Sequence, residues 1–170
     1  MQQDHLPRNQ ARSLIKEVRE GDLLLALILP DRFSEPGIHF VTPGEFSQQL
    51  AYMRHPAGKI IEPHIHNKVA REVYYTQEVL FIKRGRLRVD FYDSKQLYLE
   101  SCLLQTGDVI LLIQGGHGFE MLEETEIIEV KQGPYAGDSD KTRFKGITAS
   151  NPPSLAPGEA IAKKGAAVST

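Results

Sequence analysis

With 170 residues, 41% of them hydrophobic and 25% charged, the chain has the size and composition of one soluble globular domain with a real core. Twenty basic against twenty-two acidic side chains give a formal net charge of −2, which excludes the basic stripe of a nucleic-acid partner. The single cysteine, Cys102, excludes an internal disulfide, and its place in the apolar run SCLL marks it as a buried structural thiol.

Residues 1–36 read as an N-terminal extension. The first ten are polar, and MQQDHLPRNQAR lacks the cationic-then-apolar layout of a signal peptide. Leu14, Ile15 and Val18 then recur at helical spacing, which predicts a short amphipathic helix over Ala11–Glu20 stopped by Gly21. The run Leu23–Leu29, LLLALIL, is too short to span a bilayer and is ambiguous between helix and buried strand. A cytoplasmic protein without membrane contact is therefore expected. Either way the run must be covered, by the body of the domain or by a second subunit, and with jelly-roll edges able to pair it predicts a homodimer. Pro30, Pro36 and Gly37 break the chain.

From 37 to 145 short strands alternate with turn residues. They are expected near 38–42, 47–54, 59–66, 77–84, 86–92, 97–104, 108–113, 117–122 and 125–131. No helical pattern lies between them, so the fold class is all-β, and an antiparallel jelly-roll barrel fits it. Leu87, Val89 and Phe91 alternate with Arg86, Arg88 and Asp90, the pattern of a strand with one buried and one wet face. The carboxylates of Glu120–Glu129 are interleaved with apolar residues, as on a solvated face. Residues 146–170, rich in Pro, Ala, Gly and Ser, read as a flexible tail.

Chemistry concentrates in two stretches. GKIIEPHIHNKVAREVYYTQEVLFIKRG, from Gly58 to Gly85, carries His64 and His66 one residue apart and Glu78 farther on. On an extended strand, side chains two apart share a face, so both imidazoles can meet one ion. GDVILLIQGGHGF, from Gly107 to Phe119, supplies His117. Three histidines and a carboxylate suit Fe, Mn, Ni, Co or Zn as a divalent ion, and leave two positions of an octahedral ion free. Parity along 77–84 leaves Gln77 open as the alternative to Glu78.

The frame G-x5-H-x-H…E-x6-G resembles the first motif of the cupin superfamily, and Gly107-Asp108 with His117 is similar to the second. The gap of eleven residues between His66 and Glu78 exceeds the family's three or four. Ile113 stands where the second motif has proline, and His117 comes one residue early. The resemblance implies a barrel interior holding one divalent metal on His64, His66, Glu78 and His117. EVKQGPY, from Glu129 to Tyr135, with Asp138 and Asp140 beyond it, is similar to the end of small cupin metalloproteins associated with O-antigen and surface-polysaccharide biosynthesis. PHIHNK is loosely similar to nucleotide-sugar ketoisomerase cupins. These likenesses imply a carbohydrate context.

Around that centre, Phe119 and Met121 share the face of His117 and would floor a pocket. Glu129 and Lys131 share a face with Ile127, which is inward, as a proton-transfer pair, or outward, as surface charge; the sequence leaves both open. In the long gap, Arg71 is a candidate clamp for an anionic substrate group and Tyr75, with Tyr74, a candidate acid or sugar-stacking face. The expected function is metal-dependent isomerase- or epimerase-like Lewis-acid chemistry on a small polar metabolite such as a sugar or nucleotide-sugar derivative. The rivals are an Fe(II)-dependent dioxygenase and a non-catalytic small-molecule-binding cupin.

Overall fold

A computed structural model describes residues 12–147. They form ten strands: β1 (Lys16–Glu20), β2 (Leu23–Leu29), β3 (Gly37–Phe40), β4 (Ala51–Arg54), β5 (Glu78–Arg84), β6 (Arg86–Tyr92), β7 (Tyr98–Gln105), β8 (Val109–Leu112), β9 (Gly116–Met121) and β10 (Glu126–Lys131). A 3-10 turn follows at Gly137–Asp140. All pairings are antiparallel, in three open sheets ordered β1-β2-β8-β5-β10, β7-β6-β9 and β3-β4. Among these residues no helix is long and apolar enough to cross a membrane.

The expected helix over Ala11–Glu20 is not formed. Lys16–Glu20 is strand β1, paired with β2 from Lys16↔Ile28 to Glu20↔Leu23. Leu14, Ile15 and Val18 fit a helical stripe, but a seven-residue apolar strand alongside offers a full hydrogen-bond ladder, and Val18 alone needs to turn inward. Gly21, with φ +59°, makes the hairpin turn rather than a helix stop. The ambiguous run Leu23–Leu29 is β2, flanked by β1 and β8 and buried on both faces. Leu25, Ala26 and Ile28 enter the main core, while Leu24 and Leu27 pack with Leu111 and Ile113 under Phe46 and Leu50. The run is covered by its own chain, which removes the reason it gave for a second subunit.

The five-stranded and three-stranded sheets face each other. Between them lie Leu80 and Ile82 of β5, Ile110 and Leu112 of β8, Leu87, Val89 and Phe91 of β6, and Cys102 and Leu104 of β7. Each such side chain removed from water contributes about 1.5–3 kcal/mol, so this cluster holds the two layers together. Cys102 is buried here and its thiol is pushed up by burial, with the Lys16 ammonium 2.8 Å from Sγ opposing. The expected strand over 59–66 is absent; residues 55–77 join β4 to β5 with no strand partner among the described residues, and only at the return do Thr76 and Gln77 bond Asp140 and Gln132. The expected mobile N-terminal residues lie outside the described residues, as does all but the first two residues of the C-terminal tail.

Two local features explain sequence patterns that looked different from outside. Gly85 has φ +90°, and a Cβ there would run into the Glu124 carbonyl and Thr125, so this framing glycine is required by the crossing from one sheet to the other. The face of Arg88 and Asp90, expected to be wet, is dry: their side chains are 5% and 7% exposed. Arg88 donates twice to Asp90, Nε to Oδ1 at 2.7 Å and Nη2 to Oδ2 at 3.1 Å. The Ser101 hydroxyl also donates to Oδ1, at 2.5 Å, and exchanges a hydrogen bond with Tyr98. Charge survives burial here because the pair is bidentate, with Ser101 bonded to Asp90 and Glu120 within reach of Arg88.

Asp90→Ala strands the buried guanidinium and is expected to lower unfolding stability by about 3 kcal/mol or more. Glu120, which also reaches Arg88 at 2.8 Å, is 38% exposed, so Glu120→Ala is expected to cost about 1 kcal/mol or less. Urea denaturation of both variants checks this, and equal losses would contradict it.

Candidate active site

The polar residues that meet do so at one end of the space between the sheets. Pairing fixes which way each strand faces there. Glu78 is the first residue of β5 and shares the inner face with Leu80 and Ile82, both in the main core. Val79, of opposite parity, packs behind the sheet with Leu24, Leu27 and Leu111. Glu78 and not Gln77 therefore faces inward. Gln77 is buried just before the strand, held by its backbone N–H to Gln132 Oε1 at 2.6 Å.

Across the ladder, Lys131 stands opposite Glu78, Glu129 opposite Leu80, and Ile127 opposite Ile82. Ile127 packs on the core, so the face it shares with Glu129 and Lys131 is the inner one. From the other sheet, His117, Phe119 and Met121 pair with Phe91, Val89 and Leu87, which also point into the core. Residues paired across a ladder share a face, so these three look toward β5 and β10.

The result is a compact polar group on an apolar floor. His117 Nε2 lies 3.4 Å from Glu78 Oε2, and Lys131 Nζ lies 3.6 Å from Glu78 Oε1 and 2.8 Å from Glu129 Oε1. The Glu78 side chain is 17% exposed and that of His117 31%, so both are reachable from solvent and partly shielded from it. The hydrogen bond from His117 holds the Glu78 carboxyl below its ordinary range, assisted by the charges of His117, Lys131 and Lys141 and opposed by burial. Lys131 is raised, chiefly by its contact with Glu129. The Phe119 ring sits 5.5 Å from the imidazole of His117, centroid to centroid.

The other expected site residues are elsewhere. His64 and His66 lie with ring centroids 5.2 Å apart, edge to face, although the strand expected to align them is not formed. They stand on the exposed segment between β4 and β5, where the His64 ring bonds the Glu62 carbonyl. Arg71 and Tyr75 lie on the same segment, both exposed, with Arg71 turned to the Val69 carbonyl. Within one chain, then, the structure unites Glu78, His117, Glu129, Lys131 and Phe119, sets Met121 farther along β9 opposite Leu87, and leaves His64, His66, Arg71 and Tyr75 apart. Among the described residues no three of His, Cys, Asp or Glu are grouped as a metal would require. The four donors implied by the cupin resemblance do not fit a metal within one chain.

Gln132 and Lys141 were not legible as part of this region. Gln132 bridges Gln77 and Gln48, its Nε2 donating to Gln48 Oε1 at 2.9 Å, and so fixes the segment entering β5. Lys141 acts on Glu78 only through charge, from beyond the 3-10 turn, and no periodicity could have pointed to it. Asp108, expected as part of a cupin turn, caps the opposite end by accepting the backbone N–H of Asp31 and of Gln105, each at 2.9 Å. That end also holds a separate cavity lined by Lys16, Arg32, Arg86 and Cys102. Comparison with protein-family models, with curated proteins and with solved structures finds no match.

Proposed function

We propose that the protein is a cupin-type jelly roll that binds a small polar metabolite, such as a sugar or nucleotide-sugar derivative, at the open end between β9 and β10 and moves a proton on it. The observation that carries this is the placement of Glu78 between His117 and Lys131 beside the ring of Phe119. Glu78 stays ionised at neutral pH and orients the imidazole. The other ring nitrogen of His117 then exchanges a proton with the bound molecule. The Lys131 ammonium, steadied by Glu129, stabilises negative charge that develops on a substrate oxygen. Isomerisation or epimerisation next to a carbonyl needs such a set: one group to take and return the proton, and a fixed cation for the enolate.

A second reading is favoured by one observation, the edge-to-face pair His64 and His66. Two imidazoles held side by side are donors for a divalent transition metal such as Fe, Mn, Ni or Zn on the exposed segment itself, apart from Glu78 and His117.

The test is hydrogen exchange in D2O. The protein is incubated with a panel of keto-hexose phosphates and nucleotide-linked keto-sugars, and deuterium entering at carbon next to the carbonyl is followed by proton NMR. Exchange is expected for at least one member, with His117→Ala lowering its rate by about 100-fold or more. Undiminished exchange in His117→Ala, or none across the panel, would contradict the proposal.

A further inference from the structure

The turn that leads from β2 into β3 buries a carboxylate that nothing answers. Glu35 is 6% exposed, yet among the described residues its side chain makes no hydrogen bond and no ion pair. Its neighbours are already engaged. The Phe33 ring packs edge-on against Tyr52 at 5.0 Å and His39 at 6.1 Å, centroid to centroid, and the Arg54 guanidinium donates to Ser34 Oγ at 2.7 Å. The segment is thus held on both sides of Glu35 while Glu35 itself holds nothing. A carboxylate taken out of water without a partner destabilises the fold that carries it. Such a group makes physical sense where it meets something the lone chain lacks.

Glu35 lines a cavity of about 470 Å3 between the residues that lead into β1 and strand β3. That volume is in the range of small-molecule sites. Ile15, Phe33 and Val41 give the cavity an apolar wall, and all three belong to the cluster around Leu29 that covers the outer side of the five-stranded sheet. Two other polar side chains line it. The Pro36 carbonyl accepts from His39 Nε2 at 2.9 Å, which leaves Nδ1 of this ring as an acceptor. Arg12 stands exposed, and its guanidinium also has no partner among the described residues. Arg12 and Glu35 therefore line one cavity and form no ion pair with each other. Opposite charges that share a cavity without closing on one another leave room for a ligand that carries both.

We infer that this cavity binds a free α-amino acid with an apolar side chain, its ammonium on Glu35, its carboxylate on Arg12 and its side chain against Ile15, Phe33 and Val41. The ammonium brings three N–H donors, which give Glu35 the charge-assisted hydrogen bonds it lacks and use the His39 ring as a further acceptor. The guanidinium fork matches the carboxylate in a bidentate way. A simple amine would leave Arg12 as an unanswered like charge, and a simple acid would set its carboxylate against Glu35. A zwitterion satisfies both ends at once. The inference is independent of the function proposed for the open end. Glu78 faces inward between the sheets, whereas this cavity lies on the outer side, beyond Leu29 of β2 and Val109 of β8.

The test titrates the full 15N-labelled chain with L-phenylalanine and L-leucine, and with two relatives of the first that each lack one charge, phenethylamine and 3-phenylpropanoate. Both amino acids are expected to shift the backbone amides of Phe33, Glu35, His39 and Val41. Each one-charge relative is expected to bind about 10-fold more weakly or worse, since each loses one charge-assisted contact. Glu35→Gln, which keeps the size of the side chain, is expected to weaken L-phenylalanine binding by about 10-fold or more. Arg12→Gln changes an exposed side chain and so leaves the fold intact whatever becomes of the first variant. It is expected to weaken L-phenylalanine and to leave phenethylamine no weaker than before. Absence of shifts with both amino acids at millimolar concentration would overturn the inference, and so would shifts confined to Glu78, His117 and Lys131. Equal binding of L-phenylalanine and its one-charge relatives, or undiminished binding by Arg12→Gln, would overturn it as well.

Discussion

The register of β5 decides the chemistry of this molecule. β5 is paired on both sides, with β8 from Glu78↔Leu112 to Phe81↔Val109 and with β10 from Glu78↔Lys131 onward. Leu80 and Ile82 lock that register because they must face the core between the two sheets. A slip by one residue would turn Glu78 out and send Val79 and Phe81 inward. With the register fixed, a carboxylate meets a lysine across the ladder and a histidine from the opposing sheet, and no loop is needed to position any of the three.

The two ends of the sandwich are built differently. At one end the chain is tied by backbone and side chain. The Gly107 N–H donates to the Ile82 carbonyl at 2.7 Å, the Thr106 N–H donates to the Gly85 carbonyl at 3.1 Å, and Asp108 caps two further N–H groups. At the other end β9 and β10 are edge strands among the described residues, and the polar cluster sits between them. Stability is invested in the closed end and in the buried Arg88–Asp90 network, and the open end is free to carry ionised groups that a closed core would exclude. The exposed segment 56–75 belongs to the same division, since it leaves the body after β4 and re-enters it beside Glu78 at the open end.

Much of this was legible in the sequence, for identifiable reasons. Strands β5 to β10 announce themselves through alternation and glycine-bearing turns, and each lies within two residues of its expected place. The inward placement of His117, Phe119 and Met121 follows from period two along β9. Three things were not legible. Lys16–Glu20 reads as helix from the spacing of Leu14, Ile15 and Val18, because local spacing carries no information about the partner strand Leu23–Leu29. Arg88 and Asp90 look like a wet face, since nothing in the alternation says that Ser101 and Tyr98 will close over them. The direction of Glu129 and Lys131 depends on which face of β10 meets the core, and Ile127 settles that only through its packing. The histidine pair was found by its spacing, but spacing could not say that its segment would stand away from the sheets.

The central claim is that Glu78, His117 and Lys131 form one centre that binds a small polar metabolite. It is tested most directly by titrating 15N-labelled protein with a keto-sugar phosphate and following the backbone amide shifts. The account predicts that the amides of Glu78, His117, Glu129 and Lys131 shift together as ligand is added. Shifts confined to the exposed residues 56–75, with β5, β9 and β10 unmoved, would contradict it.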